Sequence, residues 1–567
     1  MKIFGDTTTI QADVLVVGGG VAGCLAALSA REAGADVLVC DKGGRLAWSG
    51  SVGGGVDQFL AVLDTEEEWD HPSYLMQSVG QLTDGLVDLP VVERMVYELP
   101  RVFRKIEATG VKFRDKTTGK YLRHRAFGLP GAYHVDFDGK KFKQTIARGV
   151  RRAGVRDLTR CAIVKIFVQE GRFAGAVGLN IRTGEVYAFE AKVCVLATGD
   201  INRISHNVAK MPFATWHCPY NTGDAQAMGL DVGGVLANME FIEATLSPLG
   251  FSSQGTNALT GLGAHYLNAS GERFMFNYDA LGERARRSVL VDAVINETLE
   301  GRAPIYLDVR HLPADELANI ERTLEIDRHT VPSFLRQKGV SLREEPVEIS
   351  VSEFSIRRSG VYFRGSGIVI DESCSIGVEG IFAAGDCCTV SAGIAGASAL
   401  GYIAGVKAAA KVAGIRHAAP VLEQAVALVR ERMELCAQAG DGIRYQSFED
   451  EIRDAVTSFV GFRRSSEGLA IARRKLQELK SCERDLVASS AHETSRVFES
   501  RNIRLMAEAM TVAAEERRES RSGSSHNRVD YPQSEESWLK VIGVGVSGSE
   551  LVTSEGPAEG PWSRLWS

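Results

Sequence analysis

Among 567 residues only 15 are proline, and the ten cysteines are scattered without one CxxC pair. Iron–sulfur and structural zinc sites draw on closely spaced cysteines, so neither is expected on this chain. Reduced thiols in a cytoplasmic protein are the simplest reading. Positive charge is not in excess either: the formal net charge is −7, which gives no electrostatic case for nucleic acid or an anionic membrane. Long apolar runs are missing. The least polar stretch, 392–415, carries Lys407 and Lys411 among glycine and alanine, and it reads as a buried helix rather than a transmembrane segment. The opening residues lack the basic region, apolar core and small-residue cleavage site of a secretory signal. What remains is the composition of an ordinary globular chain, 44% hydrophobic and 24% charged, long enough for about three to five domains.

Glycine is the residue in excess, at 59. Its freedom at positive φ and its small size suit tight turns around a bound ligand. The most informative of them follow Asp13-Val-Leu-Val-Val17: Gly18, Gly20 and Gly23 open an alanine-rich helix that stops at Gly34, and a second strand then ends at Asp41. Strand, glycine turn, helix and strand make a βαβ unit. That context lifts GxGxxG from a chance spacing to a dinucleotide site. Gly18 makes the turn, Gly20 lets the backbone approach a pyrophosphate, and Gly23 lets the helix pack on the strand. The helix N-terminus offers free N–H groups to phosphate. Asp41 suits a ribose diol and would repel a 2′-phosphate, so the nucleotide is of the NAD or FAD type.

Two further buried strands end in small-residue turns, Val193 to Asp200 and Gly380 to Asp386. The second is followed by a Gly/Ala/Ser helix, 393–410, able to lie close under a flat ligand. Asp386 could hold the hydroxylated chain of a flavin or simply cap that helix. Between the two strands lies an insertion of domain size, 416–520 shows amphipathic helical patterns, and a Gly/Ser/Pro-rich tail from Gly543 carries Trp562 and Trp566.

These segments resemble the FAD-dependent flavoprotein subunits of succinate dehydrogenase and fumarate reductase, and in style most nearly the related adenylylsulfate reductase α subunit. The matching elements are ADVLVVGGGVAG at 12–23, NTGDAQAMGLDVGGVLANMEF at 221–241, LNASGERFM at 267–275, GIFAAGD at 380–386, and ERRESR with the following His526, Arg528, Asp530 and Tyr531. The resemblance implies an α/β fold. A Rossmann-like FAD-binding domain is made from two chain segments (1–240 and 356–412), with an inserted α+β capping domain (241–355), a helical C-terminal domain (413–540) and a flexible tail (541–567). It implies FAD contacts at Gly18, Gly20, Val21, Ala22 and Gly23, at Asp41 and Lys42, at Ser49, Gly50 and Gly54, at Thr198 and Gly199, at Asp224, at Gly385 and Asp386, and at the backbone of Ala399 and Leu400.

Where many relatives bond a histidine covalently to the flavin, this chain has Gly50, so FAD is expected to be non-covalent. The dicarboxylate pocket departs in the same way. Thr245 and Ser355 stand where the family has histidines, Ile394 stands where it has an arginine, and the loop Thr260 to Ala264 lacks its acidic member. Arg287 matches the proton-delivering arginine, although Arg286 or Arg284 would fit the alignment equally. A C4 dicarboxylate requires a cationic clamp at each end, so succinate and fumarate are disfavoured.

Other catalytic candidates are His265, Arg358 and Tyr362. Each has a plain alternative: a hydrogen-bonded histidine, or one of two adjacent arginines, Arg357 and Arg358, that point to opposite faces of a strand. Cys387-Cys388 reads more naturally as buried small hydrophobes than as a redox disulfide. The expected activity is an FAD-dependent dehydrogenase or reductase moving a hydride to or from a small organic substrate. The alternatives are an electron-transfer protein working with an iron–sulfur or ferredoxin-like partner, and a fumarate reductase or succinate dehydrogenase. A homo-oligomer is compatible with each of these.

Overall fold

The computed structural model describes residues 7–53, 56, 58–125, 129–206, 218–251, 256–261, 263–327, 330–356, 362–415, 421–438 and 441–566. Its central sheet begins where the sequence is most β-branched. Strand β1 (Thr7–Val17) lies between β2 (Val37–Asp41) and β9 (Val186–Leu196), parallel to both, with Val14 opposite Val37 and Val193. Val14, Leu15 and Val16 are wholly buried, as expected of a parallel strand covered on both faces. Helix α1 (Val21–Glu32) is the crossover between β1 and β2, and β6 (Arg156–Thr159) extends the sheet beyond β2.

Strand β8 (Arg172–Asn180) pairs antiparallel with the first half of β9 and carries β7 (Cys161–Gln169) on its other edge, while β16 (Ile381–Ala383) runs parallel to the second half of β9. One sheet is therefore built from two distant pieces of chain, and everything between them is an excursion. A small sheet places β5 (His134–Asp136) between β3 (Gln58–Leu60) and β4 (Leu122–His124). Helix α2 (Phe142–Arg152) leads from it back to β6.

The excursion carries the antiparallel sheet β11 (Glu243–Pro248), β14 (Val347–Ser355), β13 (Ile305–Asp308) and β12 (His265–Leu267), in that order, with helix α3 (Arg287–Leu299) packed against it. On return to the central sheet, β16 leads to α4 (Gly393–Val412). Among the described residues this is the one helix long and apolar enough to cross a membrane, and here it lies against α1. The helical region then contributes α5 (Tyr445–Phe459) and the 26-residue α6 (Ala491–Glu516), and β17 (Ile443–Arg444) and β18 (Leu486–Val487), which precede them in the chain, pair in parallel.

The stretch from 541 is not the flexible tail that its composition suggests. It forms a hairpin of β19 (Lys540–Ser547) and β20 (Glu550–Pro557), closed by two residues. β19 also pairs with β10 (Leu236–Ala237), which in turn pairs with β15 (Gly367–Ile368). Trp562 is fully buried in a separate core with Val235, Val369 and Val541, and its indole N–H donates to the Pro557 carbonyl at 2.9 Å. The glycines that look like disorder serve packing, since a Cβ at Gly543 or Gly556 would press on Leu565 at 3.2 and 3.1 Å.

Candidate active site

The turn after β1 shows why three glycines stand there. Gly18 has φ +101°, and a Cβ on it would sit 2.4 Å from the Ala197 carbonyl oxygen. One on Gly23 would lie 1.9 Å from the Gly18 carbonyl oxygen, so the helix can approach the strand only without a side chain there. Gly20 differs from both. A Cβ there would meet only the Cα of Gly50, at 3.9 Å, so its absence leaves open space in front of the first turn of α1. Two glycines are fixed by backbone contact, and the third forms a cradle that fits a diphosphate at a helix N-terminus.

Gly50, at φ +75°, closes the cradle from the other side. Val21 and Ala22 form the buried first turn of α1. Asp41 ties the turn together: Gly19 N–H donates to its Oδ2 at 2.7 Å and Gly43 N–H to its Oδ1 at 2.6 Å. Ser49 Oγ donates to the Gly19 carbonyl at 2.6 Å. Gly54 lies outside the described residues.

Along the same edge, Thr198 Oγ1 accepts from Ala225 N–H at 3.0 Å, and Gly199 has φ +82°. A Cβ on Gly385 would press on the Cβ of Ala22 at 2.8 Å, which seats the β16 turn on α1. Asp386 Oδ1 accepts from Ser391 Oγ at 2.7 Å. Helices α1 and α4 run the same way at their contact, because Cβ atoms on Gly401 and Gly405 would strike the carbonyl oxygens of Ala22 at 2.2 Å and Ala26 at 2.1 Å. Both N-termini thus face the carboxyl ends of the parallel strands, the usual ligand edge of such a sheet. Ala399 and Leu400 are buried in the second turn of α4, where backbone N–H groups bond within the helix, and the first turn, from Gly393, offers free donors.

Lys42 and Asp224 belong to a charge network rather than to an open cradle. Lys42 Nζ contacts Asp224 at 2.7 Å and Glu499 at 2.9 Å, and Asp224 also accepts from Thr222 and Asn502. Glu499 further meets Arg203 at 3.2 Å, and Arg496. Burial alone would raise the Glu499 carboxyl, but the Lys42, Arg203 and Arg496 charges hold it down to about 2. The network fastens α6 to the end of β2.

On the capping side, Arg287 is the first residue of α3 and its Nη1 lies 3.2 Å from Glu243 Oε1. Glu243 is fully buried on β11, opposite Ser355 on β14 and two residues from Thr245. Of the three candidate arginines only Arg287 turns inward. Arg284 and Arg286 are exposed, and Arg286 pairs with Asp84 at 2.8 Å. Glu243 has no signature in the sequence motifs, and it places a carboxylate where the resemblance leads one to expect cations.

His265 is not brought to this cluster. It sits on β12, the opposite edge of the capping sheet from Glu243, with its ring stacked on His311 at 3.6 Å. Burial, and then the His311 charge, lower its pKa. Arg357 and Arg358 lie outside the described residues.

Tyr362 acquires partners that no sequence motif signals. Its hydroxyl is 3.4 Å from His134 Nε2, and His134 stacks on His124 across the β4–β5 pair at 5.5 Å. His124 Nδ1 lies 3.0 Å from Asp136 Oδ2. The neighbouring chain leads to the flavin-side turn, because Phe363 N–H donates to the carbonyl of Ser391, the residue bonded to Asp386. Two histidines flanking a Pro-Gly turn are visible in the sequence, but only strand register makes them neighbours. Cys387 and Cys388 are buried thiols with sulfurs 3.8 Å apart, and burial pushes the Cys388 thiol well above its usual range. Among the described residues no His/Cys/Asp/Glu cluster could hold a metal ion.

Comparison with known proteins gives the same outline. Residues 13–402 match the FAD binding domain family, and 449–552 match the fumarate reductase flavoprotein C-terminal family. A fumarate reductase (CoM/CoB) polypeptide of Methanothermobacter marburgensis is 31% identical over 94% of this chain and 96% of its own length. An L-aspartate oxidase of Streptomyces coelicolor is 29% identical over 69% of this chain and 65% of its own. In fold, the adenylylsulfate reductase of Archaeoglobus fulgidus superposes with a TM-score of 0.84 at 20% identity, covering 97% of this chain and 96% of that one.

Proposed function

The chain belongs to the fumarate reductase and succinate dehydrogenase flavoprotein family and is an FAD-dependent oxidoreductase, and from that premise we propose that it moves a hydride between non-covalent FAD and a small organic substrate lacking a pair of carboxylates. The observation that carries this reading is the Arg287–Glu243 pair, 3.2 Å apart with Glu243 fully buried. The positive charge of Arg287 is largely offset where a dicarboxylate would need it, and a buried carboxylate repels another at close range in low dielectric. Thr245, Ser355 and Ile394 add no cation. Bound FAD supplies the hydride acceptor and donor.

What the chain's own residues do follows from their chemistry. The Gly20–Gly50 cradle and the α1 amides hold the diphosphate. Arg287 donates hydrogen bonds to one polar group of the substrate and, with Glu243 as its counter-ion, can pass a proton. Tyr362 and His134 form a second proton-handling pair, whose hydroxyl and imidazole exchange one proton over 3.4 Å.

Anaerobic stopped-flow on the photoreduced, FAD-loaded protein decides the matter. Neutral and monocarboxylic enoates are expected to reoxidise the flavin while fumarate leaves it bleached. Rapid reoxidation by fumarate would overturn the reading in favour of the activity named for the Methanothermobacter relative.

A second reading, an electron-transfer component of a larger assembly, is favoured by two relatives: the Methanothermobacter fumarate reductase polypeptide, and the flavoprotein subunit of the 8-methylmenaquinol:fumarate reductase of Wolinella succinogenes, 30% identical over 69% of this chain. Tight copurification of an iron-containing protein that reoxidises the flavin supports it, and a flavoprotein turning over alone opposes it.

A further inference from the structure

Lys143, the second residue of α2, is fully buried. Its ammonium group donates to the Leu46 carbonyl and to Ser49 Oγ at 3.3 Å, and it lies 3.5 Å from Cys24 Sγ. All three acceptors are neutral, and no ion pair to Lys143 exists among the described residues. A buried ammonium without a counter-charge is among the most unfavourable arrangements a fold can hold. Lys42, Arg203, Arg496 and Arg517 each face a carboxylate, whereas Arg464, also fully buried, is held by the carbonyls of Val460, Gly461 and Glu240 and by the His526 imidazole.

The position of the charge suggests what completes it. Leu46 and Ser49 belong to the turn that leans on the β1–α1 loop, with Ser49 Oγ on the Gly19 carbonyl, and Cys24 Sγ donates to that same carbonyl at 3.5 Å. Lys143 therefore stands one layer behind the Gly20 cradle. Two requirements meet there: the cradle is shaped for a doubly charged diphosphate, and among the described residues no carboxylate pairs with the lysine, Asp41 being held by the Gly19 and Gly43 amides.

We propose that Lys143 is the built-in counter-charge of the FAD diphosphate, acting through the Ser49–Gly19 layer without touching the cofactor. It is a positioning residue, and the proposal rests on FAD lying across Gly18–Gly23. A pre-placed cation makes the empty site costly and offsets one of the two diphosphate charges when the site is filled, so it couples the stability of the fold to occupancy.

Lys143→Met removes the charge and keeps the length of the side chain, whereas Lys143→Gln also keeps a hydrogen-bond donor for Leu46 should the methionine variant not fold. The test measures FAD dissociation constants by fluorescence on FAD-stripped protein, competition by ADP and by adenosine, and melting with and without FAD. Either neutral variant is expected to weaken FAD by about tenfold or more, to weaken ADP by the same factor and to leave adenosine unchanged within about twofold. The stripped variant should melt no lower than stripped wild type, and Lys143→Arg should recover most of the affinity. Unchanged FAD affinity, or an equal loss for adenosine and ADP, overturns the proposal and leaves the lysine as a brace for the 46–49 turn. Wild-type protein that binds neither FAD nor ADP overturns the placement of the cofactor itself.

Discussion

The two ends of the flavin site are built from different materials. At the nucleotide end the work is done by backbone: Gly18 and Gly23 are excluded from carrying a side chain by contacts of 2.4 and 1.9 Å, and Gly20 is open in front. At the other end it is done by side chains, the Arg287–Glu243 ion pair and the contact of His124 with Asp136. Backbone geometry of the first kind has few solutions and announces the cofactor. The second kind varies with the substrate, and here it pairs Arg287 with a buried carboxylate.

The sharpest way to break this contrast is to damage the backbone end alone. Gly23→Val drives a side chain into the Gly18 carbonyl and should yield protein that purifies without flavin and loses more than about 3 kcal/mol of stability, read by absorbance and melting. Next in size, Arg287→Ala should keep its full complement of FAD yet lower kcat by roughly 10³-fold. If flavin content falls in parallel with turnover, the two ends are not separable.

The charged lock behind the nucleotide end gives a smaller effect with a defined pH window. Glu499 titrates near 2 in the folded state, below about 4.3 for an unfolded glutamate. Its stabilisation is therefore present above about pH 4 and is lost as pH falls toward 2, and Glu499→Gln should cost about 2–3 kcal/mol at neutral pH and progressively less in acid. A variant whose deficit in urea melts is the same at both pH values would contradict this sign.

On the substrate side, His134→Phe and Tyr362→Phe should each slow turnover by about 10- to 100-fold with flavin retained, and should remove one limb of the pH–kcat profile. The smallest expected change is a gain. Glu243→Gln frees the Arg287 charge and should tighten binding of a carboxylate substrate or inhibitor by about tenfold, measured as Kd by flavin difference spectroscopy.

How much of the molecule is legible in the sequence follows the same division. The βαβ turn, the strand ending at Gly385 and the split FAD domain can be read because glycine and β-branched residues act locally. Glu243, His124 and His134 cannot, since their importance comes from register across strands that no local pattern specifies. Lys42 and Asp224 are legible as neighbours of the nucleotide but not as members of a lock, whose other half lies on α6. The segment after 541 misleads because glycine and serine in a hairpin packed by Leu565 have the same composition as glycine and serine in a loose chain.

That hairpin also sets an order of events. β10 is made hundreds of residues before β19, the strand that covers one of its edges, and β15 covers the other, so during synthesis the β19 edge stays open until the hairpin is made. A chaperone bound to that edge, or an early supply of cofactor, would have most to protect in this interval, and fusions or truncations beyond Trp538 should be felt first as a loss of yield rather than as a change in the enzyme that survives.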